Sequence, residues 1–156
     1  MISGNVKRKP VLIASFLILV VCLVTLKCSQ RIDTGLQKLA TDFRAANQSS
    51  TIEPMLALYH LEGSNNLNIT HLRGALQYEL GLPIKKIEFE PLSGAPEETI
   101  EFTHNNIRYG PTLQPCYRMR VTYNGKDRFV SLYTIGKTKT GNWRFIAAKP
   151  VVASDN

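Results

Sequence analysis

"CYRMRVTYNGKDRFVSLYTIG", residues 116–136, is the stretch that decides the fold. In its first half Tyr117, Met119, Val121 and Tyr123 alternate with Arg118, Arg120 and Thr122. Successive strand side chains point to opposite faces, so this period of two predicts the tyrosines inward and the arginines outward. Asn124-Gly125 then reads as the loop of a β-hairpin, extended by Lys126 and Asp127, before the returning strand "RFVSLYTIG". Downstream, "KTKTGN" turns the chain into "WRFIAAKPVV". Upstream, "IKKIEFEPL" sets Ile87 and Phe89 against Lys86, Glu88 and Glu90, and "TIEFTHN" sets Ile100, Phe102 and His104 against Glu101 and Thr103. These runs predict an antiparallel sheet of about four strands.

The period is different before residue 84. In "RIDTGLQKLATDFRAANQSS", Ile32, Leu36, Leu39, Ala40, Phe43 and Ala46 recur at helical spacing behind a capping Asp33 or Thr34. "TIEPMLALYHLEG" predicts a second, shorter helix, opened near Pro54 and stopped at Gly63. "NITHLRGALQYELGLP" predicts a third, with Leu72, Leu76 and Leu80 at i, i+4, i+8, a cap at Asn68 or Thr70, and Gly81 before Pro83 closing it. Helices first and strands after predict an α+β domain with three helices on one face of the sheet.

Ahead of this domain, Val11–Leu26 is apolar apart from Ser15 and Thr25 and carries Lys7, Arg8 and Lys9 before it and Lys27 after it. Sixteen helical residues rise about 24 Å, short of a bilayer core of about 30 Å but extendable by a snorkelling lysine. The basic flank orients the N-terminus to the cytoplasm. Signal cleavage wants small residues after the apolar run, and "LVTLKCSQ" offers bulky Leu26 and charged Lys27. Lys27 also spoils the small residue expected before a lipid-modified Cys28. The residues favour an uncleaved anchor, with cleavage and lipidation at Cys28 as the alternatives. The predicted layout is a basic N-terminus over 1–10, a transmembrane anchor over 11–27, a linker over 28–31, an exported domain over 32–150 and a tail over 151–156.

The formal charge of +7 suggests nucleic acid only until its distribution is read. Four basic residues flank the apolar run, and residues 28–156 hold 15 basic against 12 acidic side chains. That small excess, on an exported domain, argues against nucleic acid. The rest is lopsided: residues 28–101 hold 6 basic and 10 acidic side chains, residues 102–156 hold 9 and 2. The simplest account is that outward strand cations pair with the acidic first half. Three cysteines make no disulfide scaffold: Cys22 lies in the apolar run, and a Cys28–Cys116 pair is a question of distance.

Helices carrying "FRAANQSSTIEPMLALY", a third ending "ELGLP", an antiparallel sheet and a final "GKTKTGNWRFIAA" hairpin resemble the nuclear transport factor 2-like superfamily over residues 32–150. The segments "LYHLEG" and "IRYGPTLQP" are also similar to ones in bacterial membrane-anchored proteins. The superfamily resemblance implies a cone-shaped roll with a helix-lined pocket against a concave sheet. It implies either a binding or assembly domain or a small isomerase, dehydratase or hydrolase with an acid inside the cone. None of the catalytic motifs of that superfamily matches this sequence, so fold alone does not select among them.

Candidate residues follow from strand parity. His104, beside Ile100 and Phe102, is a possible proton acceptor within the pocket, or a strand-end histidine bonded to backbone. Tyr117 and Tyr123, flanking Met119, are able to orient a ligand through their hydroxyls, or serve as core aromatics with polar tips. Arg118, Arg120 and Arg144 are candidates for a partner surface on the outer sheet face, for a second protein or a second copy of the chain. No His-x-x-x-His or Cys-x-x-Cys spacing, phosphate loop or Gly-x-Ser-x-Gly elbow appears, so no metal or cofactor is implied. "NQS" at Asn47 and "NIT" at Asn68 match the glycosylation pattern. The expectation is a membrane-tethered, non-enzymatic binding or assembly module outside the cytoplasmic membrane.

Overall fold

Helix α1 (Thr34–Asn47) begins where the Asp33 carboxylate accepts the Gly35 N–H at 2.8 Å. Such a cap satisfies one of the donors that every helix start leaves unpaired. The computed structural model describes residues 33–125 and 129–151. The predicted anchor at 11–27, the linker with Cys28, Ile32, and positions 126–128 and 152–156 lie outside the described residues. Among the described residues no helix is long and apolar enough to cross a membrane. The predicted stripe of α1 is the buried one: Leu36, Leu39, Ala40, Phe43 and Ala46 face inward. Arg44 in its last turn complements the negative end of the helix dipole.

The second helix is shorter than its periodicity predicts. α2 is the single turn Glu53–Leu56, and the chain then runs straight into β1 (Tyr59–His60). β1 pairs in parallel with β7 (Trp143–Ile146), and the Phe145 N–H donates to the Leu58 carbonyl at 3.0 Å. The open edge of β7 offers backbone partners that a continued helix would leave unpaired, so tertiary pairing overrides local helical preference. α3 (Asn66–Glu79) is capped by Asn65, whose Oδ1 accepts the Asn68 N–H at 2.9 Å. Leu76 is buried, and Leu72 and Leu80 pack against the core half-buried. Gly81, at φ 78°, turns the chain out of it, as glycine does beyond a helix end.

The strands form two sheets. The larger has the order β1-β7-β6-β5-β2, built from β2 (Ile84–Pro91), β5 (Pro115–Tyr123), β6 (Val130–Lys137) and β7 (Trp143–Ile146), antiparallel except at β1. Its register places Phe89, Met119 and Tyr133 in one row and Ile87, Val121 and Ser131 in the next, all on the helix side. Met119, Val121, Ile135 and Phe145 are sealed from solvent there against α1 and α3. The Phe43 ring meets Tyr133 and Phe145 edge-on at 5.1 and 5.7 Å. Helices on one side and sheet on the other make the domain α+β.

The smaller sheet corrects the expectation of one sheet of about four strands. It has the order β3-β4-β8, from β3 (Phe102–His104), β4 (Ile107–Pro111) and β8 (Ala148–Pro150). Asn105 and Asn106, at φ 49° and 60°, make a two-residue turn that folds "TIEFTHN" back on β4 instead of onto the main sheet. Asparagine tolerates this left-handed backbone better than other side-chain-bearing residues. "WRFIAAKPVV" divides at Ala147 between β7 and β8, one in each sheet. That junction is pinned by Thr112: its N–H donates to the Ala147 carbonyl at 2.9 Å, and its Oγ1 accepts the Ala147 N–H at 3.2 Å.

Candidate functional site

The last residue of α3 carries the most unusual chemistry on the inner sheet face. The Glu79 Oε1 accepts the Ser131 hydroxyl at 2.7 Å, and its Oε2 accepts the Tyr123 hydroxyl at 3.1 Å and that of Tyr133. The two tyrosine oxygens lie 3.3 Å apart. Burial, together with the Glu79 charge, pushes the Tyr123 phenol up to about 12 and drives Tyr59 and Tyr133 well above the usual phenol range. These rings remain neutral donors in any physiological medium. Aromatic pairs lie toward the margins of the same face: Phe129 stacks on Tyr123 at 5.4 Å and meets Tyr78 at 5.5 Å, while Trp143 meets Tyr117 at 5.6 Å.

The structure separates the residues that strand parity grouped. Met119 and Tyr123 are buried in the larger sheet as expected. Tyr117 shares their strand but is 37% exposed at its end, beside a register shift between Pro115 and Tyr117. His104 lies elsewhere, exposed on β3 of the smaller sheet opposite Ile107, because the Asn105-Asn106 turn carries it away. His104 is therefore not a neighbour of the buried tyrosines.

The three arginines also part company. Arg118 is largely buried, its Nη1 3.5 Å from Glu98 and its Nε without a hydrogen-bond partner among the described residues. Glu98 is only 3% exposed and accepts the N–H groups of Ser93, Gly94 and Ala95 and the Ser93 hydroxyl, at 2.8 to 3.2 Å. Burial raises its pKa, but the Ser93 and Gly94 hydrogen bonds and Arg118 outweigh this and hold it below the usual carboxylate value. Arg120 forks onto Glu90 at 2.5 and 3.3 Å. Arg144, half-buried on β7, lines a 310 Å³ cleft with Asp33, Lys38 and Asp42. Two of the three are thus paired with a carboxylate within the chain, and Val130 and the 46% exposed Leu132 are apolar outer-face residues.

Two clefts lie away from the inner face. One, of about 240 Å³, is lined chiefly by apolar side chains, including Tyr59, Ile69, Leu72, Phe102 and Ile146. Of its polar members, Ser64 and Asn68 are spent on the Ala148 carbonyl, at 2.8 and 3.2 Å, and His71 is exposed. The other, of about 640 Å³, is polar, with His60, Glu62, Thr112, Thr138, Lys139, Thr140 and Lys149 around it. His60 Nδ1 is buried without a partner among the described residues, and its Nε2 lies 3.4 Å from Glu62.

Sequence reasoning missed Glu79, Tyr133 and Ser131 as one group. Their signal was present in "QYELG" and "SLY", where a carboxylate ends a helix and two hydroxyls share a strand face, but the pairing is long-range. It also missed the polar cleft, whose residues come from β1, the β6–β7 turn and β8. Asn47 of the NQS sequon is fully buried, its Nδ2 donating to the Glu79 carbonyl at 2.8 Å. No protein-family model matches the chain, and no curated protein matches it in sequence.

Proposed function

We propose that this chain is a binding or assembly module, held outside the cytoplasmic membrane by an N-terminal anchor over residues 11–27. In this reading the domain is a nuclear transport factor 2-like roll that takes a ligand or a protein partner without transforming it. The observation that carries the non-enzymatic reading is the state of Glu79. Three hydroxyls already occupy most of the acceptor sites of its carboxylate, whereas a general base must reach a substrate proton directly or through one water. The surface clefts, not the inner face, are the openings available to a ligand.

A second reading has one observation in its favour. Glu79 with Tyr123 and Tyr133 on the inner face is compatible with the enzymes of the resembled superfamily, which place an Asp or Glu, often with His, Tyr or Arg, inside the cone. Tyrosine nitration with tetranitromethane separates the two. Tyr78, 71% exposed, is the internal standard for an accessible phenol. The binding reading expects Tyr123 and Tyr133 to resist modification while Tyr78 reacts; equal reactivity means an open interior and favours an enzyme. Fractionation with protease protection of a C-terminally tagged full-length chain tests the tether. A membrane-bound chain whose domain is digested from outside supports it, and a soluble cytosolic chain or one trimmed after Leu26 overturns it.

A further inference from the structure

We propose that the polar cleft between the β6–β7 turn and β8 binds a phosphate-bearing anionic group. The proposal rests on the binding-module reading and names the chemistry of its ligand. Its starting point is the disposition of charge. The basic C-terminal half is neutralised in large part by acids from the first half: Arg108 pairs with Glu101, Arg118 with Glu98, Arg120 with Glu90 and Lys137 with Asp33. The Lys139 and Lys149 ammonium groups have neither an ion pair nor a hydrogen bond among the described residues, and both lysines line this one cleft.

The surroundings favour an anion over bare solvent. Two ammonium groups on separate elements border a concavity, and concave low-dielectric walls concentrate the field of the charges lining them. Lysine binds phosphate as a point charge, without the fixed fork of arginine. One hydroxyl donor stands beside them: of Thr138 and Thr140, on either side of Lys139, one donates to the other at 2.9 Å, which leaves the second proton free, and both oxygens accept from Asn142, which fixes the turn. His60 also lines the cleft, with its Nε2 3.4 Å from Glu62 and its Nδ1 closed off from the surface. Glu62 is the one opposing charge in the lining, and at 87% side-chain exposure it is free to point to solvent.

Volume decides the size of the ligand. At about 640 Å³ the cleft falls within the range of about 300–1,000 Å³ typical of small-molecule sites. A bare phosphate leaves most of that space empty, so the anion is one end of a larger molecule, either a soluble phosphate ester or a phospholipid headgroup.

The test uses the full-length chain in phosphatidylcholine nanodiscs, titrated calorimetrically with inorganic phosphate at constant ionic strength. Saturable binding is expected, weakened about tenfold by Lys139→Ala or Lys149→Ala and about a hundredfold by both, the loss of one charge-assisted contact each. Lys85→Ala, at an exposed position on β2, leaves it unchanged, and Glu62→Gln strengthens it. Competition from phosphatidylglycerol nanodiscs identifies a lipid headgroup as the source; undiminished binding identifies a soluble phosphate ester. Absence of saturable binding in phosphatidylcholine discs, or a double variant that binds like the parent, overturns the proposal. Protease protection reads the tether independently, so a failed titration on a correctly displayed chain removes the cleft and leaves the module standing.

Discussion

Replacing Tyr133 by Phe isolates the inner-face hydroxyl cluster from the packing around it. The ring keeps its contacts with Phe43 at 5.1 Å and Phe145 at 4.9 Å, so the cavity created is a single oxygen. What disappears is a hydrogen bond to a carboxylate, a class of contact that contributes about 1.5–3 kcal/mol. Glu79 retains Ser131 and Tyr123 as donors, which places the expected loss near the middle, about 2 kcal/mol. Urea unfolding of the full-length chain in mild detergent reads it out through Trp143, the single tryptophan, which packs against Tyr117 and Gly35. Combining Tyr133→Phe with Glu79→Gln then tests the cluster as a unit. Residues sharing one network couple by about 0.5–3 kcal/mol, whereas independent ones add. A loss below about 0.5 kcal/mol with additive effects would refute the claim that these hydroxyls hold α3 to the sheet.

The two limbs of the pH profile, and two glycines, carry the remaining predictions. The Glu98 pKa is held below its ordinary value, so its contribution is complete above about pH 4.5 and disappears as pH falls through the lower folded value. Glu98→Gln therefore flattens the acid limb of a thermal-melt series, and an unchanged limb counts against the Glu98–Arg118 pair. At the alkaline end, Tyr123 is pushed up to about 12, so its stabilisation is complete below about pH 10 and is lost as pH rises toward 12. Two pKa units are worth at most about 3 kcal/mol, an upper bound that solvent screening lowers, and Tyr123→Phe makes the slope shallower while leaving the share that Tyr59 and Tyr133 contribute. An alanine Cβ at Gly136 falls 2.7 Å from both the Gln114 carbonyl oxygen and Leu113 Cβ, so Gly136→Ala costs about 1–3 kcal/mol. At Gly74, inside α3 with nothing within 4 Å, the same change stabilises by about 0.5–1 kcal/mol, and the opposite order of melting temperatures would contradict the packing described.

Local periodicity and long-range pairing divide what was legible in the sequence from what was not. The stripe of α1 and the alternation of β5 were readable because each is set by neighbours three, four or two residues away. β1 was not, because Tyr59 and His60 become a strand only through β7, some 86 residues downstream in the register Tyr59 to Phe145. His104 was misplaced for a more instructive reason. Its parity with Phe102 was read correctly, but parity assigns a side and not a sheet, and the Asn105-Asn106 turn decided which sheet. Phe102 itself is 45% exposed, so alternating apolar residues in a short strand do not by themselves guarantee a buried face.

Charge is where sequence and structure combine to say more than either alone. The acidic first half and basic second half suggested mutual pairing, and the four cross-half pairs bear that out for Arg108, Arg118, Arg120 and Lys137. Pairing is not uniform, however, since acids reach only where strand registry or a loop carries them. Glu90 lies in the strand beside Arg120, and the Ser93–Thr99 segment folds Glu98 over Arg118. No acid of β2 comes near the turn that carries Lys139, because β2 and β7 occupy well-separated positions in the order β1-β7-β6-β5-β2. The topology that satisfies the arginines of β5 thereby strands two lysines at the far side of the sheet, around the one large polar cleft described. A net charge of the whole chain, or of either half, conceals that local excess: composition spoke against nucleic acid alone, and the two unpaired lysine side chains are the ground for proposing a phosphate-bearing ligand.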